Sequence, residues 1–136
     1  MVFDWKPEYS VNVEEIDEQH KKLVSLIDKL YNSIYSFKTR EELGGILEEL
    51  IEYADYHFST EEKYFDKFNY EYSEEHKREH EIFREKMLDL NKKFKNKELE
   101  ISFELMDFLE DWLLDHLMEQ DQKYVKCFIE HGLSRR

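Results

Sequence analysis

Apolar residues recur along this chain at steps of three and four, and the runs are long. The first series is Ile16, His20, Leu23, Ile27, Leu30, Ile34 and Phe37, a phase that keeps returning to one face of an α-helix. A second runs Leu47, Leu50, Ala54, His57, Glu61, Tyr64 and Phe68, and a third His76, His80, Phe83, Met87, Leu90 and Phe94. The fourth passes through Leu105, Leu109, Trp112 and His116. Start signals precede three of them. The stretch N-V-E-E at Asn12 and the pair Thr39 with Glu42 fit capping boxes, and Ser73 is a candidate cap for the third helix. The second helix is expected from Thr39 to about Phe68 and the fourth from about Leu99. After His116 the phase blurs, and EQDQKYVKCFIEHG either extends the fourth helix or forms a short extra one ending at Gly132.

One proline and three glycines interrupt the chain so rarely that long helices are favoured. No segment carries a strand pattern, an internal repeat or low complexity. The expectation is an all-α protein: an antiparallel up-down-up-down four-helix bundle with an N-terminal extended segment, one domain over residues 1–136. The adjacent Gly44 and Gly45 weaken the early turns of the second helix and allow close helix approach.

Charge narrows the partners. With 33 acidic and 20 basic residues the net charge is −13, which repels nucleic acid and anionic lipid surfaces. The opening MVFDWKPEYS has no basic region before an apolar run, and no stretch is apolar enough to span a membrane. A cytoplasmic location without membrane or nucleic-acid partners is therefore expected. Cys127, the single cysteine, excludes an internal disulfide and is read as a small buried apolar residue.

The helical phase puts unusual residues inward. Of the 6 histidines only His131 falls outside the stripes, and His57 with Glu61, like His76 with His80, has the i, i+4 spacing of one helix face. In up-down-up-down order His20, His57, Glu61, His76, His80 and His116 come to the same end of the bundle. A buried carboxylate is costly unless paired, protonated or metal-bound. Imidazoles with carboxylates and no thiolate suit iron, zinc, copper or manganese, and the donor set exceeds the roughly four that a single zinc uses. Two ions fit better. Asp121 follows His116 by five residues, which on an ideal helix turns its side chain about 500° away. A carboxylate reaching an ion between helices could tolerate that offset, as could a local widening of the helix; the alternative is a solvent-facing aspartate.

The set His20 in DEQHKKL, His57 and Glu61 in HFSTEE, His76 and His80 in EEHKREH, and His116 with Asp121 in HLMEQD resembles the ligand pattern of hemerythrins, in particular single-domain bacteriohemerythrins. The resemblance covers nearly the whole chain, including the DW near its start. It implies a non-haem di-iron centre: His76, His80 and His116 on one iron, His20 and His57 on the other, Glu61 and Asp121 bridging, and an oxide or hydroxide as the third bridge. About one position of the octahedral pair is then left open, on the two-histidine iron. Dioxygen would bind there end-on as a hydroperoxide. The implied function is reversible dioxygen binding for transport, storage or delivery to an oxygen-consuming recipient. Phe58, Trp112, Leu113 and Leu117 neighbour the ligands and are candidates for the wall of the oxygen pocket, or ordinary core. Asp17, Glu18, Glu75, Glu79 or backbone carbonyls would orient the distal ring nitrogens of the histidines, surface charge being the other role for these acids.

Two other classes compete. A ferritin-like di-iron enzyme would carry Glu-x-x-His on two helices, and the residues three before each histidine are Asp17, Ala54, Ser73, Lys77, Leu113 and Phe128. That motif is absent, although a histidine-rich centre handling peroxide, nitric oxide or oxygen stays open. An oxygen or redox sensor would be expected to carry a signalling domain as well.

Overall fold

In a computed structural model, residues 5–36, 39–96 and 103–133 are described, apart from the side chains of Tyr35, Phe103, Glu104, Leu114, Leu117 and Met118. Four long helices form the bundle: α1 (Glu14–Tyr35), α2 (Arg40–Phe68), α3 (Ser73–Lys95) and α4 (Phe103–Asp115). A 3-10 turn at Pro7–Tyr9 precedes them. After α4 the chain passes through a π-helical turn, His116–Gln120, and a 3-10 turn, Asp121–Tyr124, into a short helix α5 (Val125–Glu130). There is no strand among the described residues, and none of their helices is long and apolar enough to cross a membrane. The expected Phe37 position and the expected start at Leu99 lie outside the described residues.

The helix starts show where local signals hold and where tertiary contacts override them. Thr39 caps α2 as expected, its hydroxyl oxygen accepting the Glu42 N–H. Asn12 does not cap α1. The buried Asp17 carboxylate accepts the Val11 N–H at 2.8 Å and the Ser10 hydroxyl at 2.6 Å. This folds the N-terminal segment back over α1, puts Asn12 at φ 59° and leaves Val13 before the first helical residue. Asparagine tolerates that left-handed conformation better than most residues. Ser73 is the first residue of α3 and no side chain caps that helix. At the end of α2, Asn69 adopts φ 51° and ψ 48°, the left-handed geometry that stops a helix.

One glycine has a clear packing role. A Cβ on Gly44 would lie 3.2 Å from the Phe94 ring, so the end of α3 comes in against the start of α2. Arg40 fastens this contact: its guanidinium donates to the Phe94 carbonyl and lies 4.3 Å from the ring centroid.

The buried apolar residues fall into two clusters. The larger fills the bundle with Leu23, Ile27, Leu30, Leu47, Leu50, Phe58, Phe83, Met87, Leu109 and Leu113 among others. The smaller is an aromatic cap at the other end, built from Val11, Val13, Ile16, Phe65, Phe68, Tyr70, Tyr124 and Phe128. Cys127 is half-buried against this cap. On every helix the polar inward residues lie between the two. On α1, His20 follows Ile16 and precedes Leu23; on α2, Glu61 lies between Phe58 and Phe65.

Candidate metal centre

Each long helix delivers its polar side chains to that intermediate layer. His20, His57, Glu61, His80 and Asp121 have no exposed surface, and His76 and His116 have almost none. Glu61 Oε1 lies 3.2 Å from His57 Nε2, 3.2 Å from His80 Nε2 and 3.4 Å from His116 Nε2. Asp121 Oδ1 lies 2.9 Å from both His76 Nε2 and His116 Nε2, and its Oδ2 is 2.8 Å from His20 Nε2. Close approach without hydrogen-bond geometry is the notable feature. All five Nε2 atoms, Glu61 Oε1 and both Asp121 oxygens lack a hydrogen-bond partner. Buried polar atoms are normally satisfied, and leaving so many unmet in one place is expensive. Donors that point at a common space instead of at one another are what a cation requires.

Two overlapping groups of side chains can hold an ion, each with its donor atoms within 4.8 Å of one another: His20, His57, Glu61, His116 and Asp121, and Glu61, His76, His80 and His116. Their union is the set that the sequence pattern singled out. The π-helical turn brings in Asp121. The Asp121 N–H bonds to the His116 carbonyl, widening the last turn so that the aspartate returns to the histidine's face. Among residues 11–128 the chain matches the family model of the hemerythrin HHE cation binding domain.

The chain belongs to the hemerythrin family. It is 33% identical to a bacteriohemerythrin of Clostridium acetobutylicum, over 91% of this chain and 99% of that protein. A bacteriohemerythrin of Methylococcus capsulatus is 34% identical over 88% of this chain and 91% of its own length. A crystal structure described as wild-type hemerythrin superposes with a TM-score of 0.88 at 33% identity, covering 93% of this chain and 98% of that one. The bundle and the buried histidine, glutamate and aspartate cluster are thus those of a hemerythrin-family protein able to bind metal.

Electrostatics within this hemerythrin fold favour a cation. Burial pushes His57 down to about 4, keeping the imidazole neutral with a lone pair on Nε2. Burial also opposes a charge on His116, yet Asp121 and Glu61 beside it push it up to about 10. A metal cation facing the same two carboxylates would take the place of that proton. Burial and the neighbouring Glu61 raise Asp121, but the histidines against it outweigh both and hold its carboxyl below the ordinary range.

Three supporting residues escaped the sequence reading. Gln19 Oε1 lies 2.8 Å from His57 Nδ1, and its amide reaches Thr60 Oγ1 at 3.3 Å. Glu62 Oε2 lies 2.7 Å from His80 Nδ1. Tyr124 donates its hydroxyl to Glu61 Oε2 at 2.5 Å, and burial, with Asp121 and Glu61 nearby, raises its pKa so that it keeps the proton. None of these is among the acids expected to orient the rings. Asp17 instead holds the N-terminal segment, and Glu18 and Glu75 are exposed. Gln19 and Glu62 each adjoin a site residue in sequence, and that adjacency was the available signal.

The candidate wall residues are placed unequally. Phe58 is buried, stacked on His80 with ring centroids 4.0 Å apart and planes at 11°. Half-buried Trp112 stacks on His116 at 4.5 Å and 13°. Leu113 is buried in the main core, one turn before His116. The side chain of Leu117 lies outside the described residues. His131, outside the inward stripes, donates its Nδ1–H to the Cys127 carbonyl and stacks on Phe68, away from the cluster.

Proposed function

We propose that this chain holds two iron ions and binds dioxygen reversibly, serving oxygen carriage, storage or delivery and not turnover. The observation that carries the reading is the convergence of five imidazole nitrogens and two carboxylates, unmet by hydrogen bonds, in one buried layer. That is more than one ion uses. His20 and His57 would hold one iron, His76, His80 and His116 the other, with Glu61 and Asp121 between them. His116 lies within reach of both groups by distance; it is assigned to the second on the family pattern. When bound, the pair would supply two electrons and one open coordination position to dioxygen, with an oxide or hydroxide as a further bridge.

The protein's own residues do the rest. The two carboxylates balance part of the cationic charge in a low-dielectric layer. The main core on one side and the aromatic cap on the other would keep water and external protons away from the metal layer. Phe58, Trp112 and Leu113 would form the near part of that wall; Leu117, the fourth residue expected there, has its side chain outside the described residues. Five imidazoles against two carboxylates give less support to high-valent iron than a carboxylate-rich site, which favours binding over oxidation. The reading takes residues 1–136 as a single cytoplasmic domain that hands oxygen to a consuming protein.

The test is spectroscopic. Protein reduced under anaerobic conditions, exposed to oxygen and then evacuated should gain and lose a visible absorption band over repeated cycles. A single irreversible change on first exposure, or sustained oxygen consumption with a reductant, would contradict the reading and favour an enzyme.

A further inference from the structure

The two histidines whose distal nitrogens have partners meet different chemistry. His57 Nδ1 faces the neutral amide oxygen of Gln19 at 2.8 Å, whereas His80 Nδ1 faces the carboxylate of Glu62 at 2.7 Å. With both Nε2 atoms turned to the shared space, the ring proton sits on Nδ1 and is donated to those oxygens. Glu62 is not left to find its own position. Its side chain is 22% exposed, and Arg84 holds the same Oε2 at 3.2 Å while also binding Asp55 at 2.8 Å and Glu81 at 2.5 Å. The guanidinium lies 5.2 Å from the centroid of Phe58, the ring stacked on His80. Glu62, Arg84, Phe58 and His80 thus form one clamp on the α2 and α3 side of the site. Among the described residues, Gln19 on α1 is held beside His57 by Thr60.

A carboxylate acceptor draws the Nδ1 proton more strongly than an amide does, and leaves more electron density on the opposite nitrogen. An ion bound there is stabilised more in its higher charge state. We propose that Glu62, held by Arg84, is a positioning residue that makes the metal position beside His80 the easier of the two to oxidise, while Gln19 leaves the position beside His57 the harder. This rests on the two-iron reading above. The asymmetry requires no proton to leave: in a one-electron change from Fe(II) to Fe(III) the electron passes to an external acceptor, and the Nδ1 proton stays between His80 and Glu62.

The experiment is an anaerobic spectroelectrochemical titration of the full-length, iron-loaded chain, the electrode taking the electron, after iron content has been measured. Glu62→Gln keeps an oxygen acceptor at the same place and removes its charge, so a purely structural role for Glu62 would leave the potentials unmoved. The expected result is an upward shift of the lower potential only. A tenfold loss of preference for the oxidised ion, the low end of what such outer partners contribute, corresponds to about 59 mV for one electron. Gln19→Glu should lower the higher potential by a similar amount, and carries the test if Glu62→Gln sheds iron. Two irons per chain with potentials that do not move, or that move together, would overturn the proposal alone. A wild-type chain that does not hold two irons would overturn the reading beneath it as well.

Discussion

The backbone N–H of Asp121 bonds to the carbonyl of His116, and the side chains of the same two residues meet at 2.9 Å. An α-helix would have turned them apart. The single π-helical turn between them brings the last carboxylate to the histidine layer, and the chain resumes α-helical geometry at Val125. Adding one residue to this turn carries Asp121 about 100° further round the helix. Insertion of an alanine after Glu119, which is exposed, should therefore cost the protein most of its metal while α1 to α3 persist. Metal analysis beside far-ultraviolet circular dichroism checks it, and full metal content in the insertion variant would show that Asp121 is dispensable.

The aromatic cap predicts a coupling between the C-terminal helix and the metal layer. Phe128 is fully buried, with its ring 4.2 Å from Tyr124, 5.8 Å from Phe65 and 5.7 Å from Phe68. Phe128→Ala should cost about 3–5 kcal/mol, the range for large core aromatics. It should also speed transfer of metal to an external chelator, because Tyr124 holds Glu61. Denaturant titration gives the first quantity and chelator kinetics the second. An equal loss of stability with unchanged metal release would confine the cap to a structural role.

Leu113 tests the wall. It is 3% exposed and one turn from His116. In Leu113→Asn a polar amide replaces apolar surface near the site, drawing in water and offering a hydrogen bond to bound oxygen. Oxygen should still bind, since no ligand is altered, but the oxygenated state should decay faster to oxidised iron. Stopped-flow mixing followed by the slow spectral decay measures both, and an unchanged decay rate would remove Leu113 from the oxygen pocket.

The paired glycines should respond in opposite ways. Gly45 has open space where a Cβ would go, so Gly45→Ala should stabilise α2 by about 0.5–1 kcal/mol. At Gly44 the same change places Cβ 3.2 Å from Phe94, and the helix-propensity gain is offset by displacement of that ring and of the Arg40 contact. Thermal melts of the two variants compare them directly. A larger gain from Gly44→Ala would mean that the approach of α3 to α2 is looser than the structure has it.

The fold was legible because its signals are local and repeated. The steps of three and four on α1 to α4 follow from helix geometry, and the Thr39 cap needs only Glu42, three residues away. Asn12 misled because its competitor, Asp17, acts by folding the N-terminal segment back, which a capping pattern does not encode. At the metal layer, the residues on each stripe were legible from periodicity, and Asp121 from the family pattern. The partners of the rings were not. Gln19 with His57, Glu62 with His80 and Tyr124 with Glu61 each join two helices or a helix and the C-terminal turn. Periodicity fixes the face a residue occupies but not its height against a neighbouring helix, so these pairs become visible only in three dimensions.

The central claim is that one chain holds two ions in this layer, and the ratio of bound metal to protein measures it most directly. The account predicts two irons per chain after purification from iron-replete cells. The same ratio should hold in His131→Ala, whose ring lies against Phe68 outside the cluster, with at least one ion lost in Glu61→Ala or His76→Ala. A reproducible ratio of one in the wild-type chain, zinc in place of iron, or loss of metal on removing His131 would contradict it.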